Sequence, residues 1–329
     1  MTIIYSHSYD LHNMKFHVEN KKRTDAIMDA LKNLDLEIME PERARLQDIL
    51  RVHTRSHVDY VKGFAERGGG YLDYDTYMTS ESYNVALLAA GGAIKASETV
   101  MEDGGWAYSV ARPPGHHATR DRSMGFCIFN NLAIAIQRLR EKESGRFIII
   151  DFDVHYGNGT ADIFYDDPDI MYISIHQDPR TLYPGTGFIE EMGINEGLGY
   201  TLNIPMPPGS STDDYIWILS KILEPIKDEF KPKIVFLEAG FDAHKNDPIS
   251  NMKVDEEFYA WIGSHLKNER VVAILEGGYD IEALANSNLK FVKALMGLET
   301  AIEREIRASG PVKDIFSRIK DKFAEYFRI

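Results

Sequence analysis

The stretch from Phe147 to Gly159 (FIIIDFDVHYGNG) places Asp151, Asp153 and His155 two residues apart at the end of an apolar run. Successive side chains of a strand point to opposite faces, so this spacing projects two carboxylates and one imidazole to the same side. Carboxylate oxygens and imidazole nitrogens are ligands of divalent ions in proteins. The spacing therefore indicates a metal site, although such a cluster in isolation is equally typical of a hydrogen-bond network.

Three further polar segments follow apolar runs elsewhere in the chain. They are Arg112 to His117 (RPPGHH) after Val110, Asp242 after Leu237, and Tyr279 after Leu275. In an open parallel sheet, ligands bind at the carboxyl ends of the strands, where helix N-termini and variable loops meet. We therefore expect these side chains to converge with Asp151 to His155 at one edge of a sheet.

Asp153, His155 and Asp242 together offer two carboxylates and one imidazole to a divalent ion. Three protein ligands with one position left open for water is the arrangement of a catalytic rather than a structural site. Two carboxylates donate more charge than imidazoles would, so the ion acidifies that water less and a nearby general base becomes useful.

His116 and His117 supply such a base. An isolated His-His pair is more typical of surface or core histidines, but Asp151 lies on the strand face of the ligands and can orient and charge one imidazole. Tyr279 follows Glu276-Gly-Gly and can direct a hydroxyl at the oxyanion of an attacked carbonyl. The set predicts metal-assisted attack of water on a carbonyl group.

The remaining histidines have ordinary explanations. His53 and His57 lie four residues apart in a predicted helix (LRVHTRSHVDYV) without a third ligand beside them, so we interpret both as structural. His176 follows a predicted strand and His244 follows Asp242, and neither is predicted to be a metal ligand.

Continuous apolar runs rich in β-branched and aromatic residues predict strands buried on both faces of a parallel sheet. These runs are Thr2 to Tyr5, Trp106 to Val110, Phe147 to Ile150, Ile170 to Ile175, Lys233 to Leu237 and Val271 to Leu275. Helical spacing predicts helices at Tyr83 to Val100, Asn130 to Glu141, Asp213 to Phe230 and Asp255 to Leu266, the last two capped by Asp213 and Asp255. The alternation predicts a layered α/β fold with helices on both faces of the sheet.

The chain contains no Pro/Ser-rich linker, so we predict a single domain over residues 1–329. After Gly310, an amphipathic pattern predicts a C-terminal helix within residues 311–329. We expect this helix to dock either on the body of the protein or on a partner subunit, and the second alternative would make the protein a homo-oligomer.

The composition narrows the functional classes. The chain has 51 acidic and 37 basic side chains and a net charge of −14, which argues against direct nucleic-acid binding and suits a cationic substrate. No apolar stretch approaches the ~20 residues of a membrane span, so we expect a cytoplasmic protein without a membrane partner. The single cysteine, Cys127, excludes an internal disulfide and a thiolate metal cluster.

Seven segments, taken together and in order, resemble the zinc-dependent histone deacetylase and acetylpolyamine amidohydrolase superfamily. They are RPPGHH (112–117), GFCIFNN (125–131), DFDVHYGNGT (151–160), SIH (174–176), YPGTG (183–187), GFDAHKNDP (240–248) and EGGYD (276–280). The resemblance runs from about residue 4 to residue 298. It implies an arginase/deacetylase-like three-layer fold with a mostly parallel sheet, one Zn²⁺ per chain and a structural K⁺ site.

The resemblance also implies roles for individual residues. Asp153, His155 and Asp242 match the zinc ligands, and His116 and His117 match the tandem histidines, with His117 as the general base, Asp151 paired with His116, and Tyr279 polarising the carbonyl. Asp151 and Ser174 resemble part of the monovalent-cation site.

The implied substrate site is a narrow tunnel for the acyl-amine stem. Gly125, Phe126 and Tyr183 match its lining, and Asp75 resembles the rim aspartate that binds substrate backbone or amine. Ile249 is apolar where an acidic gatekeeper would favour polyamines.

Two positions depart from many members of the family. Tyr156 stands where a second histidine is common, and Asn158 stands where one branch has an aspartate that partners the second catalytic histidine. Asparagine at that position is found in class II and bacterial members, so it places the chain nearer that branch and weakens charge assistance to His117.

The predicted function is hydrolysis of N-acetyl amines, either acetylpolyamines or acetyl-lysine, to acetate and free amine. One alternative is a two-metal ureohydrolase of the same fold, which needs bridging carboxylates where this chain has Gly157 and His244. The other is a catalytically idle protein that binds acetylated amines. Such a protein would have no physical need for all three ligands, both histidines and the tyrosine.

Overall fold

The computed structural model describes residues 1–299, 302 and 304–329. In this part of the chain the strands are β1 (Thr2–Ile4), β2 (Glu37–Met39), β3 (Gly70–Tyr71), β4 (Tyr77–Met78), β5 (Trp106–Ser109), β6 (Phe147–Asp151), β7 (Ile170–Gln177), β8 (Thr201–Met206), β9 (Ile234–Ala239) and β10 (Val271–Leu275). Eight of them form one parallel sheet in the order β2-β1-β5-β10-β9-β6-β7-β8. The other two, β3 and β4, form a small antiparallel pair.

Helices cover both faces of the large sheet. They are α1 (Lys22–Leu31), α2 (Leu46–Ile49), α3 (Arg55–Glu66), α4 (Ser82–Asp103), α5 (Asn131–Leu139), α6 (Asn158–Ile163), α7 (Thr212–Phe230), α8 (Glu256–Leu266), α9 (Ile281–Leu295) and α10 (Gly310–Phe323).

The alternation of side chains along the central strands builds two hydrophobic layers. Ile148 and Ile150 of β6 pack in a cluster with residues of α1 and α7 to α10, whereas Phe147 and Ile149 pack in a second cluster with residues of α2, α3, α5 and α6. Helix α4 contributes to both clusters. Because consecutive strand residues point to opposite faces, an unbroken apolar run is what a sheet covered on both sides requires. The predicted three-layer α/β arrangement is confirmed.

The sheet order brings the polar strand ends together. Strands β5, β10, β9 and β6 are consecutive neighbours in the middle of the sheet, and all four run in the same direction. The loops that follow them carry His116 and His117, Tyr279, Asp242, and Asp153 with His155. Parallel pairing therefore places the candidate residues at one edge.

Two strands of the sheet escaped prediction. Strand β8 (TLNIPM) contains Pro205, which removes a backbone donor and argues against a strand in the middle of a sheet. It lies at one edge of the sheet and β2 at the other, where a proline or a short, exposed strand is tolerated.

The predicted starts of two helices were also wrong. The N-cap of α7 is Ser211 rather than Asp213, because the Ser211 hydroxyl accepts from Asp214 N–H while the Asp214 carboxylate accepts from Ser211 N–H, a reciprocal capping box. The helix predicted around His53 and His57 is interrupted, since α3 begins at Arg55 with Thr54 as its cap. Asp255 caps α8 as predicted.

The C-terminal helix α10 begins at Gly310, and its buried residues Val312, Ile319 and Phe323 belong to the same hydrophobic cluster as α7. Its apolar face thus packs on the body of the protein. Among the described helices, not one combines the length and the apolar character that crossing a membrane demands.

Candidate metal centre and active site

Asp153, His155 and Asp242 meet at the carboxyl ends of β6 and β9. One ligand atom from each lies within 4.8 Å of the others, and all three side chains are buried. His155 Nδ1 is 3.1 Å from Asp153 Oδ1 and 3.1 Å from Asp242 Oδ2. The structure therefore brings the three predicted ligands together as an oxygen, nitrogen, oxygen set.

Backbone donors fix the orientation of both carboxylates. Asp153 Oδ2 accepts from Gly277 N–H at 2.7 Å, and Asp242 Oδ1 accepts from Val154 N–H at 2.8 Å. A Cβ atom at Gly277 would lie 2.2 Å from Asp242 Oδ2 and 2.5 Å from Asp153 Oδ2, so only glycine allows this approach. The loop after β10 thus holds the ligands supplied by β6 and β9.

The charge of the cluster suits a cation. Burial lowers the pKa of His155, but hydrogen bonds to Asp153 and Asp242 outweigh burial and raise it to about 10. A site that attracts a proton this strongly also attracts a divalent ion, and carboxylate and imidazole are zinc-type donors. The residues present fit the metal that the sequence predicts.

The two tandem histidines have different partners. His116 Nδ1 lies 3.2 Å from Asp151 Oδ2, whereas His117 Nδ1 lies 2.8 Å from Asn158 Oδ1. Both imidazoles are buried, and their ring centroids are 4.0 Å apart. One histidine is therefore paired with a carboxylate and its neighbour with a neutral amide.

The pKa values of the two imidazoles are shifted in opposite directions. Burial lowers the pKa of His116, but Asp153 and Asp151 overcome it and raise the pKa to about 10. Burial, followed by the positive charge of His116, holds the pKa of His117 well below its ordinary value. His116 therefore favours its protonated form, and His117 favours its neutral form, which can accept a proton.

Tyr279 lies in the loop after β10 between two flat groups. The Arg23 guanidinium carbon is 4.9 Å from its ring centroid, and the Phe126 ring meets it edge-on at 5.6 Å between centroids. Burial raises the pKa of the Tyr279 hydroxyl well above its ordinary value, so the hydroxyl stays protonated and can donate a hydrogen bond.

The predicted tunnel residues surround the same centre. Phe126 is on the Tyr279 side, whereas the Tyr183 ring lies 5.0 Å from the His117 ring and 6.5 Å from the His155 ring. Gly125 has a φ of 56°, and a Cβ atom there would lie 2.4 Å from His117 Cδ2.

Asp75 and Ile249 are connected to this centre through one intermediate residue each. The Asp75 carbonyl lies 3.0 Å from His17 Nε2, and the His17 ring packs edge-on against Phe126. Burial and the neighbouring Asp73 raise the pKa of the Asp75 carboxyl. Ile249 N–H donates to Asp247, whose other carboxylate oxygen accepts from the backbone of Tyr279.

Asp151 and Ser174, the residues predicted for a monovalent cation, are paired across β6 and β7. The Ser174 hydroxyl lies 2.8 Å from His176 Nδ1, and Asp151 Oδ2 accepts from Tyr172 at 2.7 Å. The potassium site stays a prediction.

The histidines interpreted as structural have partners of that kind. His53 Nε2 accepts from Asn130 N–H at 2.9 Å, and His57 Nε2 lies 3.3 Å from the Ser123 hydroxyl. Within the described residues, the groups with metal-ligand geometry contain neither of them.

Sequence reasoning missed a buried ion-pair network behind Tyr279. Arg23 donates to the carbonyl oxygens of Gly278 at 2.6 Å and Glu276 at 2.5 Å, and Glu19 binds Arg23 at 3.2 Å and Arg112 at 2.6 Å. Glu19, Arg23 and Arg112 have no exposed side-chain surface. The Gly278 bond joins residues 255 positions apart, so no local pattern in the sequence could have predicted it.

Glu276 is a second residue whose role was missed. Its Oε2 accepts from Gly115 N–H at 2.7 Å and from His116 N–H at 3.1 Å. One side chain of the tyrosine loop therefore fixes the backbone of the tandem histidines. Its position three residues before Tyr279, directly after β10, was the available signal.

Replacing Glu19 by Gln should destabilise the fold strongly. Arg112 holds the pKa of Glu19 well below its ordinary value in spite of burial, so the variant leaves two buried guanidinium groups without their counter-charge. We expect a loss of about 3–5 kcal/mol in the free energy of unfolding, measured with chemical denaturant. Glu66→Gln removes the exposed pair with Lys62 and should cost less than about 1 kcal/mol. Equal effects of the two substitutions would contradict this reading of the network.

Comparison with known proteins identifies the family. The family model for the histone deacetylase domain matches residues 17–295. The chain belongs to the histone deacetylase family. The resemblance predicted from the seven sequence segments is thus confirmed.

Individual members of the histone deacetylase family match most of the chain. A "Probable deacetylase" of Methanothermobacter thermautotrophicus is 56% identical over 332 residues, which cover 99% of each chain. A "Histone deacetylase-like amidohydrolase" of Pseudomonas aeruginosa is 33% identical over 88% of this chain and 78% of its own. The crystal structure of the HDA15 HD domain superposes with a TM-score of 0.93 at 30% identity, covering 99% of this chain and 95% of that one. The arginase/deacetylase-like fold is confirmed.

Proposed function

We propose that this histone deacetylase family chain is a zinc-dependent amidohydrolase that converts N-acetyl amines to acetate and free amine. The observation that carries the proposal is the meeting of Asp153, His155 and Asp242 at one point, with the His117 ring 6.0 Å from the His155 ring and Tyr279 in the loop whose Gly277 N–H binds Asp153. This set combines a cation site, a proton acceptor and a hydrogen-bond donor, which are the parts that amide hydrolysis requires.

In this proposal Asp153, His155 and Asp242 hold one zinc ion. Such an ion, when bound, polarises the amide carbonyl and lowers the pKa of water. The backbone of Gly277 and Val154 already holds one oxygen of each carboxylate, so the ligands need little rearrangement to bind.

His117 handles the proton of the reaction. It accepts the proton of the attacking water as the new C–O bond forms, and it delivers that proton to the leaving nitrogen as the C–N bond breaks. The Asn158 contact at His117 Nδ1 leaves Nε2 as the nitrogen available for this transfer. A neutral amide partner supports the role, because it does not fix a positive charge on the ring.

Tyr279 stabilises the negative charge on the former carbonyl oxygen by donating its hydroxyl hydrogen bond. His116, which is paired with Asp151, lies beside the ligands, and its raised pKa favours a positive charge that stabilises the same oxyanion.

The aromatic walls support an extended, unbranched stem in the substrate. Phe126 packs against the Tyr279 ring and Tyr183 against the His117 ring, and in this proposal the two aromatic side chains form the walls around the stem. Acetylpolyamines and acetyl-lysine share such a stem and differ only beyond the tunnel. Asp75 and Ile249 are the residues through which the rim would discriminate between them.

The ureohydrolase alternative has less support. His244 Nδ1 accepts from Asn246 N–H at 3.2 Å, and in the part of the chain that the structure describes, the groups with metal-ligand geometry do not include His244. Gly157 has no side chain to contribute. A protein that binds acetylated amines without hydrolysis would have no physical need for two histidines with different partners beside the three ligands.

An acetate-release screen tests the proposal. The panel contains acetylspermidine, acetylputrescine and acetyl-lysine peptides, each with and without a hydroxamate chelator. We expect at least one compound to release acetate, and we expect the chelator to suppress the release because hydroxamate occupies the metal. Release that persists at saturating chelator would reject metal-centred hydrolysis. Binding of acetylated compounds without any release would favour the idle alternative.

A further inference from the structure

Asp247 joins the loop that carries Asp242 to the loop that carries Tyr279. Its Oδ2 accepts from Tyr279 N–H at 2.7 Å, and its Oδ1 accepts from Ile249 N–H at 3.1 Å. Its own N–H donates to the His244 carbonyl at 2.8 Å. The side chain is only 7% exposed, so these bonds are protected from competing water.

We propose that Asp247 is a positioning residue for Tyr279. The inference rests on the proposed function, in which the Tyr279 hydroxyl donates to the oxyanion. Asp247 acts through the peptide N–H of Tyr279 and sets the distance between that hydroxyl and the ligand Asp242.

The surroundings of Tyr279 explain why its backbone needs an anchor. Gly277 and Gly278 precede it, and neither has a Cβ atom to restrict its backbone dihedral angles. Gly278 has a φ of 118°, which residues with side chains rarely adopt. Phe126 and Arg23 pack against the ring, and Arg23 also donates to the Gly278 carbonyl at 2.6 Å, which holds one end of the Gly278–Tyr279 peptide. The bond from the Tyr279 N–H to Asp247 holds the other end of that peptide, and the two bonds together fix the origin of the side chain.

The geometry requires a carboxylate. Asp247 uses two oxygens to accept from two backbone donors, whereas asparagine has one oxygen and an NH₂ group that would face the other donor. Asp247→Asn therefore breaks one bond at nearly constant volume. We expect kcat to fall by about 10- to 100-fold, because a displacement of ~1 Å can cost about 100-fold in rate. KM and zinc content should remain unchanged.

A double-mutant cycle with Tyr279→Phe separates positioning from general damage. If Asp247 acts through the tyrosine hydroxyl, Asp247→Asn should change kcat by less than about 2-fold in the Tyr279→Phe background. The readouts are kcat, KM, zinc per chain and Tm for all four proteins.

Asp214→Asn is the matched control. Asp214 is also buried and also accepts from two backbone donors, Ser211 N–H at 2.9 Å and Ser309 N–H at 2.7 Å, but it lies in the first turn of α7. It should lower Tm and leave kcat within about 2-fold, since Tyr279 is untouched. If Asp247→Asn does not fold, Asp247→Ser, which retains one acceptor oxygen, takes its place in the cycle with the same expected dependence on Tyr279.

The results distinguish a failure of the positioning role of Asp247 from a failure of the proposed function. An unchanged kcat in Asp247→Asn, or an equal loss in both backgrounds, overturns the positioning role while the proposed function stands. An unchanged kcat in Tyr279→Phe itself overturns the proposed role of the tyrosine and the positioning inference together.

Discussion

Tyr279→Phe should lower kcat for acetate release by about 100- to 1,000-fold, the cost of removing one preorganised donor to an oxyanion. The ring contacts with Arg23 and Phe126 do not involve the hydroxyl, so the phenylalanine should occupy the same place. Steady-state kinetics on the best substrate of the screen measures the effect.

Two measurements make the Tyr279→Phe result specific. Zinc content should stay near one per chain, because the tyrosine is not a ligand, and Tm should change by only a few degrees. Tyr165→Phe removes the hydroxyl of a half-buried tyrosine after α6 and should leave kcat within about 2-fold. A Tyr279→Phe enzyme with normal turnover would remove the tyrosine from the mechanism.

Asp242→Asn should weaken zinc binding by at least ~100-fold, since even substitutions that only support a ligand cost 10- to 100-fold in affinity. The variant loses one of two carboxylates in the cluster, but its amide oxygen can still accept from Val154 N–H, so the loop should fold. Competition with a chelator of known affinity measures the loss, and turnover should fall with it at limiting zinc.

Asp167→Asn is the control for the Asp242→Asn experiment. Asp167 forms an ion pair with Arg140 outside the cluster, and its substitution should change zinc affinity by less than about 2-fold. An Asp242→Asn protein that binds zinc as tightly as the parent would show that the ion is held elsewhere.

The sequence predicted the ligands because two periodic rules act together. Strand β6 ends at Asp151, but Phe152 and Val154 are buried in the same hydrophobic cluster, so the alternation of side chains continues through Asp153 and His155 in the loop, and parallel pairing of β6 with β9 brings Asp242 alongside. Both rules follow from the geometry of strands and parallel sheets, so they can be applied once the apolar runs have been recognised as strands.

The supporting contacts could not be predicted in the same way. Arg23 reaches Glu276 and Gly278 across more than 250 residues, and the partner of a buried arginine depends on how α1 packs against the loops. The bond from Asp247 to Tyr279 likewise connects two loops whose separation is set by the sheet order.

Asn158 illustrates a prediction that gained a physical meaning from the structure. As an asparagine it was expected to weaken charge assistance to His117, and it lies 2.8 Å from His117 Nδ1. An aspartate there would favour the protonated ring more strongly than the amide does, and burial and the positive charge of His116 lower the pKa of His117. The two histidines therefore differ mainly because Asp153 and Asp151 raise the pKa of His116, whereas burial and the positive charge of His116 lower that of His117.

The central claim is that one divalent ion, held by Asp153, His155 and Asp242, is required for amide hydrolysis. The most direct measurement is titration of zinc into the metal-free protein while acetate release is followed. Activity should be absent at the start, rise in proportion to added zinc and level off at one equivalent per chain. Full activity without added metal, or a plateau that requires two equivalents, would contradict the account.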